Sequence, residues 1–180
     1  MMKKLSLVVI FVNLLFASNA QITKGNWMVG GTGTFEKQQE DFNGSTLRTT
    51  RLQLYPNIAY FFVDKLLAGL KPSIDVIKIK TDSYTTKTFM LGAGPFVRYY
   101  FLPAEKQVNL FAEGNYQYSC GTNKYYQNLY RISIGPEVFF NSSVGIELTA
   151  NYEYLHRKGG VNSAKTFFIG VGFQIHLEKE

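Results

Sequence analysis

The chain has a single cysteine among its 180 residues, so no intramolecular disulfide framework is possible. It has two histidines, His156 and His176, and no Cys/His cluster, which leaves no zinc-type ligand set. Charged residues make up only 18% of the chain while aromatics reach 16%. That is the reverse of the composition that keeps a chain disordered. The basic excess, +6 overall, is not gathered into the clustered basic face that a nucleic-acid partner requires. Beyond residue 20 no apolar run approaches the roughly 20 residues a membrane-crossing helix needs. The length suits one domain.

The first twenty residues have the three parts of a secretory signal. Lys3 and Lys4 supply the positive start, Leu5 to Phe16 the apolar stretch, and Ser18-Asn19-Ala20 the small residues at a cleavage site. Cleavage there leaves 21–180 as the working domain. Removing Lys3 and Lys4 lowers Lys+Arg from 19 to 17 against 13 Asp+Glu, so the net charge falls from +6 to +4.

From Gly25 onward, apolar residues recur with period two, the signature of β-strands. About eight such segments lie near 25–36, 50–62, 66–78, 87–102, 107–119, 129–140, 143–156 and 164–177. An ordinary strand is about five or six residues, and these are two to three times longer. They exceed the roughly nine to eleven residues a tilted membrane strand requires. One face of every segment is free of charge: Ile58 and Tyr60 in the second, Leu91 and Val97 in the fourth, Ile132 and Ile134 in the sixth, Leu148 and Tyr152 in the seventh. The other face mixes glycines with Arg51, Lys71, Asp75, Arg98, Glu113, Arg131, Glu137, Glu147 and Glu153. Tight turns near 63–65, 103–106 and 141–143 alternate with longer polar stretches at 37–49, 79–86, 120–128 and 157–163. The polar stretches read as loops, all on the side opposite the termini.

Two solvents are compatible with this alternation. A soluble lipocalin-like ligand-binding barrel puts the apolar face inside, whereas a membrane barrel puts it outside. An eight-strand interior is barely wide enough for side chains, so eight Leu/Ile/Val/Tyr-rich faces would overfill it. Aromatics also gather toward the ends of the apolar face. Phe35, Phe89, Tyr116, Tyr118, Tyr130, Tyr152, Tyr154 and Phe167 form one group, on the long-loop side. Tyr60, Phe62, Phe101 and Phe140 form the other. Two aromatic belts are what lipid interfaces select. The expected fold is therefore an all-β, eight-stranded antiparallel up-and-down transmembrane barrel.

In this pattern the chain resembles the small OmpA/OmpX-type outer-membrane barrels, the porin-like outer membrane protein β-barrel domain group. The end of the chain, Gly172-Phe173-Gln174-Ile175-His176-Leu177, is similar to the strand signal read by the barrel-insertion machinery, although Glu178-Lys179-Glu180 follow it. The resemblance implies the cell outer membrane of a Gram-negative bacterium, with outer-membrane lipid and lipopolysaccharide as surroundings. It implies a role in envelope structure or surface interaction through the extracellular loops. A narrow channel or a lipid A-modifying enzyme are the alternatives.

Several residues carry more specific expectations. If 141–143 is a three-residue turn, Glu137 faces Glu147, and like charges so placed need a cation between them or a proton. Lys71, Arg98 and Arg131 are the available cations. The interior ionisable set, Arg51 and Asp75 included, is expected to form one ion-pair network that plugs the lumen. Pro56, Pro72, Pro95 and Pro136 fall within strands, where a missing N–H predicts bulges or bends. Gly31-Thr32-Gly33 lacks the third glycine and the helix of a phosphate loop and reads as small strand residues. His156, Ser163 and Glu153 are the residues an enzyme would use. Lys78, Lys80, Lys87, Lys124, Arg157, Lys158 and Lys165 form a basic rim suited to phosphates, and Tyr84, Tyr125 and Tyr126 suit a surface partner. No cofactor or metal is expected.

Overall fold

A computed structural model describes residues 22–42, 45–122, 125–157 and 163–179. The signal-like segment 1–20 lies outside the described residues, as do Lys124 and Lys158. Eight strands follow one another: β1 (Trp27–Phe42), β2 (Ser45–Val63), β3 (Leu66–Lys80), β4 (Thr85–Tyr100), β5 (Val108–Gly121), β6 (Tyr125–Phe139), β7 (Val144–Arg157) and β8 (Ser163–Leu177). Each pairs antiparallel with the next, and β1 pairs with β8, so the sheet closes into a barrel. Closure leaves no sheet edge, which satisfies the backbone without help from solvent.

Chain parity sets the two faces. Ile132, Ile134, Leu148, Ile169 and Val171 point outward and are exposed, while Arg98, Glu113, Glu137 and Glu147 point inward and are buried. The apolar residues thus line the outer surface, the inverse of a soluble ligand-binding barrel. An uncharged band of this extent is unstable against water and suited to hydrocarbon.

The strands run further than the apolar alternation predicts. β1 continues to Phe42, β2 starts at Ser45, β3 ends at Lys80, and β5 and β6 reach Gly121 and Tyr125. Most of 37–49 and much of the other expected loops are paired strand. A ladder satisfies N–H and C=O whatever the side chains are, so polar sequence marks where the outer face stops being apolar, not where the strand stops. On β1 both faces from Glu36 to Asp41 are exposed.

The prolines do not make bulges. The β2–β3 register is the same on both sides of Pro56 and Pro72, and β4–β5 and β6–β7 keep register past Pro95 and Pro136. Instead each of these three ladders lapses for a few residues and resumes unshifted. The missing donor is absorbed as a local gap. Gly94 and Gly135, each preceding a proline, make that gap narrow. A Cβ on Gly94 would strike the Tyr116 carbonyl, and one on Gly135 the Leu148 carbonyl. The one register shift within these ladders falls at Phe61/Val63, near the tight turn, and leaves Phe62 and Val63 both exposed while Phe61 is buried.

At the end bearing the termini, apolar side chains pack inside the barrel. Met28, Phe61, Leu67, Phe96, Tyr100, Phe111 and Phe139 form the apolar core there, with Ile22 packed among them. Lys65, at φ 67° in the Asp64-Lys65 turn, donates its N–H to the Ile22 carbonyl, 2.9 Å away. Residues 22–26 are thereby tied to the end of β2 and the turn after it. Phe61, Phe96, Tyr100, Phe111 and Phe139 all sit at inward parity, on the face expected to hold small and ionisable residues.

Candidate functional site

Above this aromatic floor lies a buried ionic cluster. Register places Arg98 of β4 beside Glu113 of β5, and Arg98 donates Nε and Nη2 to Glu113 Oε2 at 3.0 and 2.8 Å. Its Nη1 reaches the far wall, 2.7 Å from Glu147 Oε2 on β7, and lies 3.5 Å from Glu137 Oε2 on β6. Lys71 of β3 pairs with the other oxygen of Glu113. Glu137 and Glu147 are indeed cross-strand partners, so the cation between them is Arg98. The Tyr100 hydroxyl donates to Glu137 at 2.5 Å, and His176 Nε2 is 2.9 Å from the other Glu137 oxygen. Arg98 also lies over the Phe111 ring at 3.9 Å. Arg98, Glu137, Glu147 and His176 are each 1% exposed or less. Such charges are tolerable in low dielectric only because each meets an opposite charge or a directed donor.

The interior set does not form one network. A second cluster sits nearer the opposite mouth. Arg51 forks onto Asp75, with Nη2 to Oδ2 at 2.6 Å, and Arg131 forks onto Glu153, its cross-strand partner, with Nη2 to Oε2 also at 2.6 Å. The Tyr55 ring lies 4.1 Å from the Arg131 guanidinium, and the Tyr55 hydroxyl accepts from Gln53 at 2.6 Å. Between the two clusters is a neutral polar layer. Ser133 donates to Asn151 at 2.7 Å, and Gln117 donates to the Lys71 carbonyl at 3.1 Å. Arg131 therefore takes no part in neutralising Glu137 and Glu147. The division follows from strand height: Arg131 and Glu153 lie six positions from Glu137 and Glu147 along β6 and β7.

His176 and Tyr100 are the members that sequence reasoning missed. Both are at inward parity near strand ends, and parity alone was the signal.

The aromatic positions on the apolar face lie toward its two ends. Phe35, Phe89, Tyr118, Tyr130, Tyr152 and Phe167 are exposed on the outer surface, and Tyr116 and Tyr154 are half-buried beside Tyr130. At the other end are Phe62 and Phe101, exposed, with Tyr60 and Phe140 half-buried. Trp27 and Tyr99 join this end, Trp27 against Tyr60 at 5.2 Å and Tyr99 against Phe101 at 5.3 Å.

The imagined catalytic group does not assemble. His156 and Ser163 are cross-strand partners on the outer face, while Glu153 is inside the barrel on Arg131. The basic rim is also split. Lys78 and Lys87 are exposed cross-strand partners, and Lys165 is exposed. Arg157 belongs to the inward face and lines the mouth of the lumen. Tyr84 and Tyr126 are exposed, as is Cys120; the Tyr125 side chain lies outside the described residues.

No protein-family model matches the chain, and no curated protein sequence does. Solved structures do. The outer membrane protein OprG from Pseudomonas aeruginosa aligns with a TM-score of 0.56 at 14% identity, over 89% of this chain and all of that one. A loop-deletion form of OmpT, an outer membrane protein of Vibrio cholerae, aligns at 12% identity with a TM-score of 0.31, and this chain spans half its length. The likeness to OprG, together with the closed eight-strand sheet, identifies the fold as that of a small outer-membrane β-barrel.

Proposed function

We propose that the mature chain is an integral protein of a Gram-negative outer membrane, with a plugged lumen, and that it serves envelope structure or surface interaction. The observation that carries this reading is the Arg98 cluster. It joins walls that are not neighbours: Lys71 of β3 to Glu113 of β5, Arg98 of β4 to Glu147 of β7, and Tyr100 of β4 and His176 of β8 to Glu137 of β6. Ion pairs that cross a narrow bore above an aromatic floor favour a plugged lumen over an open one. The uncharged outer band supplies the reason for membrane residence.

The surface that remains for partners is the set of strand extensions on the side opposite the termini. There β1 and β2 rise beyond the apolar band as a polar hairpin, with Glu36 through Asp41 exposed. With His156 and Glu153 on opposite faces of the sheet, the reading is non-enzymatic.

Two measurements test it. The chain should fractionate with outer membranes and run faster unboiled than boiled on a gel. In planar bilayers it should give no discrete conductance steps. Regular steps from the purified barrel would replace the plugged reading with a narrow channel.

A further inference from the structure

The closed part of the sheet has no edge, but closure ends partway up the strands. β1 pairs with β8 from Trp27↔Leu177 to Gly33↔Val171. Beyond that height, residues 34–42 of β1 pair with β2 alone and residues 163–170 of β8 with β7 alone. A cavity of about 230 Å³ opens where the two strands part, with Thr34, Phe35 and Glu36 of β1 and Thr166, Phe168 and Ile169 of β8 in its lining. From Thr34 upward, β1 thus has a backbone edge that no described strand covers. Such a row of N–H and C=O groups is a template for a further strand.

The two edges differ in their surroundings. Beside the β8 edge stand Phe167 and Ile169, 68% and 59% exposed, which belong to the apolar band. The β1 edge leaves that band after Phe35, and Glu36 to Asp41 are exposed on both faces. Parity puts Glu36, Gln38 and Glu40 on the inward side of this extension, and Lys37, Gln39 and Asp41 on the outward side. The inward row is acidic. Arg51 is the cross-strand partner of Glu36 but forks onto Asp75 instead, and Glu40 accepts from Gln38 at 2.7 Å. Among the described residues neither carboxylate of the row has an ion pair.

We propose that the β1 edge above Gly33 receives an extended peptide segment of a partner protein, laid antiparallel to β1. The segment carries lysine or arginine four residues apart, facing Glu40 and Glu36, and an aromatic facing Phe35. This names the partner class for the surface-interaction reading and rests on it. Main-chain bonds along the edge supply affinity, and alternate side chains supply specificity. Opposite charges directly across a strand pair stabilise it, and like charges destabilise it. The second rule disfavours another copy of this chain as the occupant. Copies in one membrane hold β1 in the same sense, so a two-fold pair sets Glu36 against Glu36 and Glu40 against Glu40.

The test uses the whole barrel in nanodiscs and a fluorescent peptide, Thr-Lys-Val-Thr-Glu-Lys-Phe-Thr, whose lysines face Glu40 and Glu36 in that register. Binding should saturate, and hydrogen exchange should slow at alternate amides between Thr34 and Asp41 but not at Val29. A peptide with both lysines changed to glutamate, and one N-methylated at alternate residues on its β1 side, should each bind at least tenfold more weakly. The double variant Glu36→Lys, Glu40→Lys should reverse the preference between the lysine and glutamate peptides. If that variant does not fold, the peptide series on the unaltered barrel decides alone. The proposal is overturned if the lysine peptide does not saturate, if the N-methylated peptide binds as well, or if the same amides slow without peptide in discs holding two barrels. Any of these, with heat-modifiable migration intact, removes the peptide partner and leaves membrane residence standing. Loss of that migration in the unaltered barrel strikes the underlying reading instead.

Discussion

Arg98 Nη1 and Glu147 Oε2, on strands β4 and β7, meet 2.7 Å apart across the interior of the barrel. No register requires this contact. It exists because Arg98 is long enough to cross the bore and because Glu137 and Glu147, side by side, need a shared cation. Removing one partner of a buried ion pair costs about 3–5 kcal/mol. Arg98→Met, which keeps the length and loses the charge, should destabilise the barrel by that amount. The urea midpoint followed by fluorescence of the only tryptophan, Trp27, measures it. A change below about 1 kcal/mol would show that the cluster does not hold the walls together.

Glu137→Gln should have a smaller effect. The amide still accepts from Tyr100 but loses its ionic partner Arg98 and the carboxylate contact with His176. Hydrogen bonds to charged groups are worth about 1.5–3 kcal/mol, and the loss should lie in that range. The temperature at which the fast-migrating gel form disappears should fall; an unchanged temperature would count against the network.

Gly94 and Gly135 should tolerate no side chain. A Cβ at either would collide with the neighbouring strand's carbonyl, Tyr116 in one case and Leu148 in the other. Gly114, on the outer face, has nothing within 4 Å of its Cβ position. Gly94→Val and Gly135→Val should abolish folding into vesicles, and Gly114→Val should fold at the parent yield. Equal yields from all three would refute the close-approach reading of the proline-associated gaps.

Charge on the outer face should be costly only within the band. Leu148→Arg, near mid-strand, should cost about 2–4 kcal/mol, the range for arginine at a bilayer midplane. Gln39→Arg, on the exposed extension of β1, should cost close to nothing. Reversible unfolding in thin-lipid vesicles compares the two, and a matched cost would place both in the same solvent.

The fold was largely legible because each strand repeats one period-two pattern, so parity at a single residue predicts both faces. Tyr130 and Arg131 illustrate it: adjacent in sequence, they lie on opposite sides of the wall. Strand ends were not legible, since polar residues such as Gln38 and Thr49 pair as well as apolar ones. Proline effects were misjudged for a related reason. A missing donor at Pro136 is absorbed by a gap beside Gly135, which sequence does not distinguish from a bulge. The interior was half legible. Charge and parity pick out Arg98, Glu113, Glu137 and Glu147, but not which carboxylate each cation reaches. Arg131 takes Glu153 at its own height because an ion pair is set by strand stagger.

Membrane residence requires the outward face of the sheet to lie in lipid. Nitroxide labels placed singly at Ile132 and Leu148, in a Cys120→Ser background reconstituted in vesicles, test this most directly. Both labels should relax readily with dissolved oxygen and scarcely at all with a water-soluble nickel complex, while a label at Gln39 should behave the opposite way. Ready nickel access at Ile132 and Leu148 would contradict the account.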